Sequence, residues 1–275
     1  MLTCLAQFRS ATPWLAILAL SIAGTVQVGE AQQMSAAVRS ELAPTGRLRV
    51  GINFGNALLA VKDSSGQPGG IAVLLAQELS RRVNLPMDIV PYESAGRMAD
   101  GVKTGAWDVA FLAADPDRAG EIGFTAPYLE IDSTYLVPAT SPLRTQQDVD
   151  RAGVRIAVSA KSAYDLYLTR ELKRAQLVRA PSPNESVDLF FKEKLDALAA
   201  LRPVLVDLAE QHPGTRVLNG RFTVVTQAVG APKGRPMAVQ YLKTFVEDVK
   251  ASGLVAKTIT TSGVRGVSVA PAARN

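Results

Sequence analysis

Short apolar runs and amphipathic runs take turns along most of this chain, and that alternation restricts its fold more than any other feature. Residues 48–53 read as a buried strand, and 71–83 as a helix with Leu74, Leu75 and Leu79 on one side. Strand 87–90, helix 95–103 and strand 108–112 continue the series. A second series runs through strand 154–159, helix 163–173, strand 177–179, helix 187–192, strand 196–200 and helix 203–210. Longer extended runs, 132–138 and 222–230, precede and follow it. Residues 35–42 form a short amphipathic helix ahead of the first strand. The chain is expected to end on a helix over 237–251. Its stripe of Met237, Tyr241, Leu242, Phe245 and Val249 is core by spacing. Strands alternating with helices make parallel sheets. Two series with two extended connections predict two α/β lobes. The chain would cross between them twice, with the last helix returning to the first lobe. A cleft between two such lobes is a natural ligand trap.

The N-terminus carries a secretory pattern. Arg9 precedes an apolar run from Trp14 to Ala23, and Gly29-Glu-Ala31 supplies small residues for cleavage. Cleavage is expected after Ala31, with a site after Ala23 as the alternative. The run is shorter than the ~20 residues that span a bilayer. Cys4 is the sole cysteine and lies inside this segment, ahead of the apolar run. The mature chain would then have no disulfide, no thiolate and no lipid-anchor cysteine. Hydrophobic content of 47% and charged content of 20% describe an ordinary globular composition. The net charge of +5 is dispersed, with no basic run interleaved with aromatics, which argues against nucleic-acid binding. His212, the sole histidine, sits in Glu210-Gln-His-Pro-Gly214 at a helix exit. No histidine cluster for a metal and no Ser-His-Asp set follows from it. Gly66 to Gly70 is a turn, not a phosphate loop. No metal and no cofactor are expected.

Several loosely spaced elements recur in one order. They are Leu48-Arg-Val-Gly51, the polar turn Lys62-Asp-Ser-Ser-Gly66 with Gly70, and Val102-Lys-Thr-Gly-Ala-Trp-Asp108. Arg118 follows, with Ile122, Phe124 and Thr125 behind it. Together they resemble the bacterial extracellular solute-binding proteins of family 3, the polar amino-acid type, over roughly residues 46–263. The resemblance implies a type II periplasmic binding protein fold: two α/β lobes joined by a two-segment hinge, with a ligand cleft between them. It places lobe 1 at 46–131 plus 226–275, lobe 2 at 135–221, and the hinge near 131–135 and 221–226. The signal peptide would be 1–31.

The resemblance also implies a site. Arg118 would hold the ligand carboxylate through two parallel charge-assisted hydrogen bonds. The residues alone leave open a surface Arg118 paired with Asp115, Asp117 or Glu121. Ser162 with Asp165 three residues on is a capping-box pattern opening a helix, where free N–H groups attract carboxylates. Ser162 and Ala163 match the family's second grip, and Lys161 adds positive charge. Asn53, Phe54, Asn56, Tyr92 and Glu93 follow the first two strands, where open α/β sheets place their crevice. Phe54, Tyr92 or Tyr164 would supply a stacking surface. The family's small hydroxyl residues are replaced here by Phe111, Leu112, Ala113 and Ala114, so Ala113 contributes backbone only. The acid that holds the ammonium group of amino-acid ligands is replaced by Leu201, followed by Arg202. Either Glu93 or another acid supplies the charge, or the ligand is an organic acid without an amine. Arg202 would then suit a second acidic group.

The function expected from these features is capture of a small carboxylate-bearing solute, an amino acid or related organic acid, in the periplasm. The protein would close about its hinge and deliver the solute to the membrane permease of an ABC importer, acting as a monomer and without catalysis. Two alternatives are a cyclohexadienyl-dehydratase-like enzyme on the same scaffold, and a ligand sensor for a separate membrane receptor.

Overall fold

The computed structural model describes residues 34–274, together with Leu2 and Thr3. The signal segment expected over 1–31 lies, but for those two residues, outside the described residues. No described helix is long and apolar enough to cross a membrane.

Helix α1 (Ala36–Leu42) leads into β1 (Leu48–Asn53), the small hairpin of β2 (Val61–Lys62) and β3 (Pro68–Gly69), and α2 (Ile71–Val83). Next come β4 (Met87–Tyr92), α3 (Ala95–Asp100), β5 (Val109–Ala113) and β6 (Ile122–Phe124). The long strand β7 (Leu129–Pro138) opens the second set. That set holds β8 (Arg155–Ser159), α4 (Ala163–Glu171), β9 (Gln176–Ala180), α5 (Pro183–Lys192), β10 (Ala197–Leu201), α6 (Arg202–Gln211) and β11 (Thr215–Val217). A second long strand, β12 (Thr223–Pro232), brings the chain back to α7 (Pro236–Ala251), α8 (Leu254–Ser262) and β13 (Val267–Val269).

One curled mixed sheet threads both sets in the order β4-β1-β5-β12-β7-β10-β8-β9. β1 lies parallel between β4 and β5, with Leu48 opposite Met87 and Val50 opposite Val109. β8 lies parallel between β9 and β10. In the middle, β7 and β12 pair antiparallel, from Leu129 opposite Gln227 to Ser133 opposite Thr223. Beyond that shared stretch β12 pairs with β5 and β7 with β10. Two α/β lobes joined by two extended segments are the result, as the alternation predicts.

The inner strands read from sequence are apolar because they are covered on both faces; β5 and β10 are buried along their whole length. Three departures have physical causes. The chain does not end on α7: α8 follows and packs on α2, and β13 pairs with β7. α8 is rich in β-branched residues, which weaken the helical signal. Met237 is 42% exposed and does not belong to the core stripe. The buried face of α7 is Ala238, Leu242, Phe245, Val246 and Val249. The helix at 95–103 is α-helical only to Asp100 and then tightens into a 3₁₀ turn over Gly101–Thr104. A Cβ on Gly101 would lie 2.4 Å from the Tyr92 hydroxyl and 2.9 Å from Trp107 Nε1. The bare glycine lets the fully buried Trp107 pack there and donate to the Met98 carbonyl at 2.8 Å.

Candidate functional site

The carboxyl ends of β1, β5, β8 and β10 face one another across the two lobes. A cavity of about 140 Å³ lies among them. The first lobe lends the loop after β1 (Asn53, Gly55, Asn56, Ala57, Leu59), Ala72, Ala95, Met98 and the end of β5 (Phe111, Leu112, Ala113). The second lends Ser159, the start of α4 (Ser162, Ala163, Tyr164) and the start of α5 (Pro183, Asn184, Ser186, Val187). Ala200, Leu201 and Val204 come from the β10–α6 junction. Val225 and Gln227 of β12 complete the lining. This is where open α/β sheets hold ligands, because helix starts gather at the carboxyl ends of parallel strands.

The start of α4 is built by its caps. Ser162 Oγ accepts from the Asp165 N–H at 3.1 Å, and Asp165 Oδ2 accepts from the Lys161 N–H at 2.7 Å. The box therefore closes on Lys161, whose φ of 56° puts it in the left-handed region. Arg179 Nε at 2.9 Å holds Asp165 from the other side. The N–H groups of Ala163 and Tyr164 have no partner among the described residues. Burial pushes the Tyr164 phenol up to about 12, against the opposing pull of its hydrogen bonds with Ser162 and Ser159. It stays protonated at neutral pH and acts as a hydrogen-bond donor, not a base.

The loop after β1 is pinned by its asparagines. Asn53 Oδ1 accepts from the Gly55 N–H at 3.0 Å, and Asn56 Oδ1 from the Leu58 N–H at 3.3 Å. Gly55 lies against the end of β4, where an added Cβ would come within 2.0 Å of the Glu93 carbonyl. Backbone cannot yield to that contact, so Gly55→Ala is expected to displace the loop and cost about 1–3 kcal/mol. A urea midpoint unchanged from that of the parent chain would contradict this.

Arg118 sits beside the cavity, at the seam between the lobes. It is 6% exposed. Its Nη1 donates to the Ala113 carbonyl at 2.6 Å in the first lobe, and its Nη2 to the Lys161 carbonyl at 2.8 Å in the second. No carboxylate among the described residues bonds it. Asp115 and Asp117 both bind Arg170 of α4 at 3.0 Å, and Asp100 binds Lys161 Nζ at 2.7 Å. Burial brings the guanidinium down to about 10, although Asp115, Asp100 and Asp117 pull it back up. It remains a cation at neutral pH.

Known proteins share this fold. The sequence profile of the bacterial extracellular solute-binding proteins, family 3, matches residues 48–261. The chain belongs to that family. No curated protein matches it by sequence. Among solved structures, a mutant of ArgBP from T. maritima is similar with a TM-score of 0.70 and 19% identity, over 82% of this chain and 99% of that one. A solute receptor for L-cysteine of Neisseria gonorrhoeae gives 0.72 and 18%, over 84% and 96%. The ancestral amino acid-binding protein AncCDT-1, a precursor of cyclohexadienyl dehydratase, gives 0.68 and 20%, over 81% and 97%. These likenesses establish the type II periplasmic binding protein fold.

In this family 3 protein, seven of the residues singled out from sequence line the cavity: Asn53, Asn56, Ala113, Ser162, Ala163, Tyr164 and Leu201. The other six do not. Arg118 and Lys161 border an adjoining cleft on the outer side of the seam. Phe54 lies under Lys62, whose Nζ is 5.0 Å from the ring centre. Tyr92 packs on the Met98–Trp107 cluster. Glu93 is exposed and off the lining. Arg202 turns away from the cavity and donates to the carbonyls of Leu218 and Gly220.

Sequence reading missed Pro183, Asn184 and Gln227. Ser182-Pro183-Asn184-Glu185 carried the signal for the first two: a serine cap, proline at the first helical position and a glutamate three residues on. Ser182 Oγ indeed accepts from the Glu185 N–H at 3.3 Å. Gln227 is a polar residue within the apolar run Val224-Val-Thr-Gln-Ala-Val229, and such an interruption in a buried strand needs a partner.

Proposed function

We propose that this protein is the periplasmic solute-binding component of an ABC importer and captures a small carboxylate-bearing solute between its lobes. The observation that carries this reading is the start of α4. Its Ala163 and Tyr164 N–H groups are unpaired among the described residues and belong to residues lining a cavity between the lobes. Paired with the helix dipole, such groups favour a carboxylate. The buried cation of Arg118 lies one carbonyl away, at Ala113, and supports the same sign of charge.

The proposed lobes are residues 46–131 with 226–275, and 135–221, hinged near 131–135 and 221–226. β7 and β12 run side by side there, so a bend shared by two paired strands moves the lobes as bodies. A solute touching both lobes stabilises the closed form by contacts that the open form lacks. The closed protein then docks on a membrane permease. Cleavage after Ala31 and a monomeric state complete the proposal.

A thermal-shift screen against small organic acids and amino acids tests it. At a hundred times its dissociation constant, a bound acid adds about 2.7 kcal/mol. The melting temperature should then rise by roughly 5–10 °C, and the methyl ester of the same acid should lose most of that rise. Equal shifts from acid and ester would remove the carboxylate from the reading.

A further inference from the structure

We infer that the solute is an acid without an amine: one anionic end on a small, uncharged and largely apolar body. The inference rests on the carboxylate reading above and narrows it.

The first ground is the sign of the field. Helices α4, α5 and α6 all begin at the cavity, through Ala163, Pro183 and the Leu201–Val204 turn. Each helix start is equivalent to roughly half a positive charge. A carboxylate is welcome there, and an ammonium group is not.

The second ground is what the lining lacks. Among the described residues, no Asp, Glu, Lys, Arg or His side chain lines the cavity. Glu93 is exposed and off the lining, and the other nearby acids are engaged elsewhere. Asp165 holds the Lys161 N–H and Arg179, Glu185 bonds Ser182 Oγ at 3.0 Å, and Asp100, Asp115 and Asp117 hold Lys161 and Arg170. An ammonium group brought in would lose its water and gain no anion, which is among the costliest burials known.

The third ground is what the lining offers in place of an acid. Gln227 is 5% exposed, and it lines the cavity. Asn53 and Asn56 line it too, their side-chain oxygens taken by the loop and their Nδ2 groups being donors. These are neutral donors and acceptors, suited to the oxygens of an acid or to a hydroxyl or keto group. Leu112, Val187, Leu201, Val204 and Val225 are among the apolar residues of the wall. A cavity near 140 Å³ takes a guest of roughly six to nine non-hydrogen atoms.

The test titrates the purified protein calorimetrically with matched trios: an apolar α-amino acid, its deaminated acid, and the amide of that acid. Leucine, isocaproate and isocaproamide are the first trio. In at least one trio the acid should bind at least about a hundredfold more tightly than the amino acid, and at least about tenfold more tightly than the amide. Leu201→Asp, which restores an acid at the start of α6, should shift the preference toward the amino acid by at least tenfold. An amino acid as the tightest binder overturns this inference and leaves the carboxylate reading standing. An amide as tight as its acid overturns both. No binding by any acid at millimolar concentration also overturns the inference. The wild-type comparison decides on its own if the variant does not fold.

Discussion

Asp108→Ala is expected to lower the stability of the unliganded chain by about 3 kcal/mol, and its melting temperature by roughly 6–12 °C. The Asp108 carboxylate is fully buried and accepts four hydrogen bonds. Three come from Arg49: its backbone N–H at 3.2 Å, Nε at 2.9 Å and Nη2 at 2.8 Å. The fourth comes from Arg235 Nη1 at 2.8 Å. One side chain thus ties β1, the entry to β5 and the start of α7. Removing it leaves two guanidinium groups without their anion. The cost falls at the low end for a broken buried pair. Both arginines reach some solvent and keep a carbonyl, Gly105 for Arg49 and Glu41 for Arg235.

The same cluster predicts acid sensitivity. Burial alone would raise the Asp108 carboxyl, but the bonds from Arg49 and Arg235 outweigh it and hold it below its ordinary value. A carboxyl depressed in the folded state stabilises fully above its unfolded value, about 4. That contribution is lost as the pH falls through the lower folded value. The stability gap between the parent chain and Asp108→Asn should therefore narrow between pH 7 and pH 3. Urea midpoints measure it, and a gap of constant width would show that protonation of Asp108 is not linked to folding.

How far the chain could be read from sequence depended on the range of the interactions involved. β1 and α2 match their expected bounds at both ends, because burial of one or both faces writes a clear local period. The long strands β7 and β12 were visible as extended runs. α8 and β13 were not, since a β-branched helix and a three-residue strand acquire their structure from what they pack on. The helix start at Ser162 was legible because capping is local chemistry. Partner choice among the charged residues was not. Asp115 and Asp117 lie beside Arg118 in sequence, yet they bind Arg170 from the other lobe. Arg202 follows the cavity residue Leu201, yet its guanidinium goes to backbone carbonyls at the β11–β12 connection. Such choices are settled by the tertiary approach of the lobes, which no local pattern records.

That approach decides the second large effect. Arg118→Ala is expected to weaken solute binding at least tenfold, or about 1.4 kcal/mol, while the melting temperature of the unliganded chain moves by only a few degrees. The guanidinium takes one carbonyl from each lobe, Ala113 and Lys161. Those two bonds coexist only when the lobes are together. Under the proposed hinge closure, losing them costs the closed arrangement stability relative to the open one, where water satisfies both carbonyls. Apparent affinity falls with the fraction of closed-competent protein. Loss of the buried positive charge weakens the pull on the solute's carboxylate in the same direction. Arg118→Lys separates the two contributions. It keeps the charge, but an ammonium group lacks the planar fork that spans two carbonyls. Near-parental affinity for the lysine variant assigns the effect to charge, and alanine-like affinity assigns it to the bridge between the lobes. Calorimetry with the tightest acid reads both, and a dissociation constant unchanged in Arg118→Ala would take Arg118 out of the site.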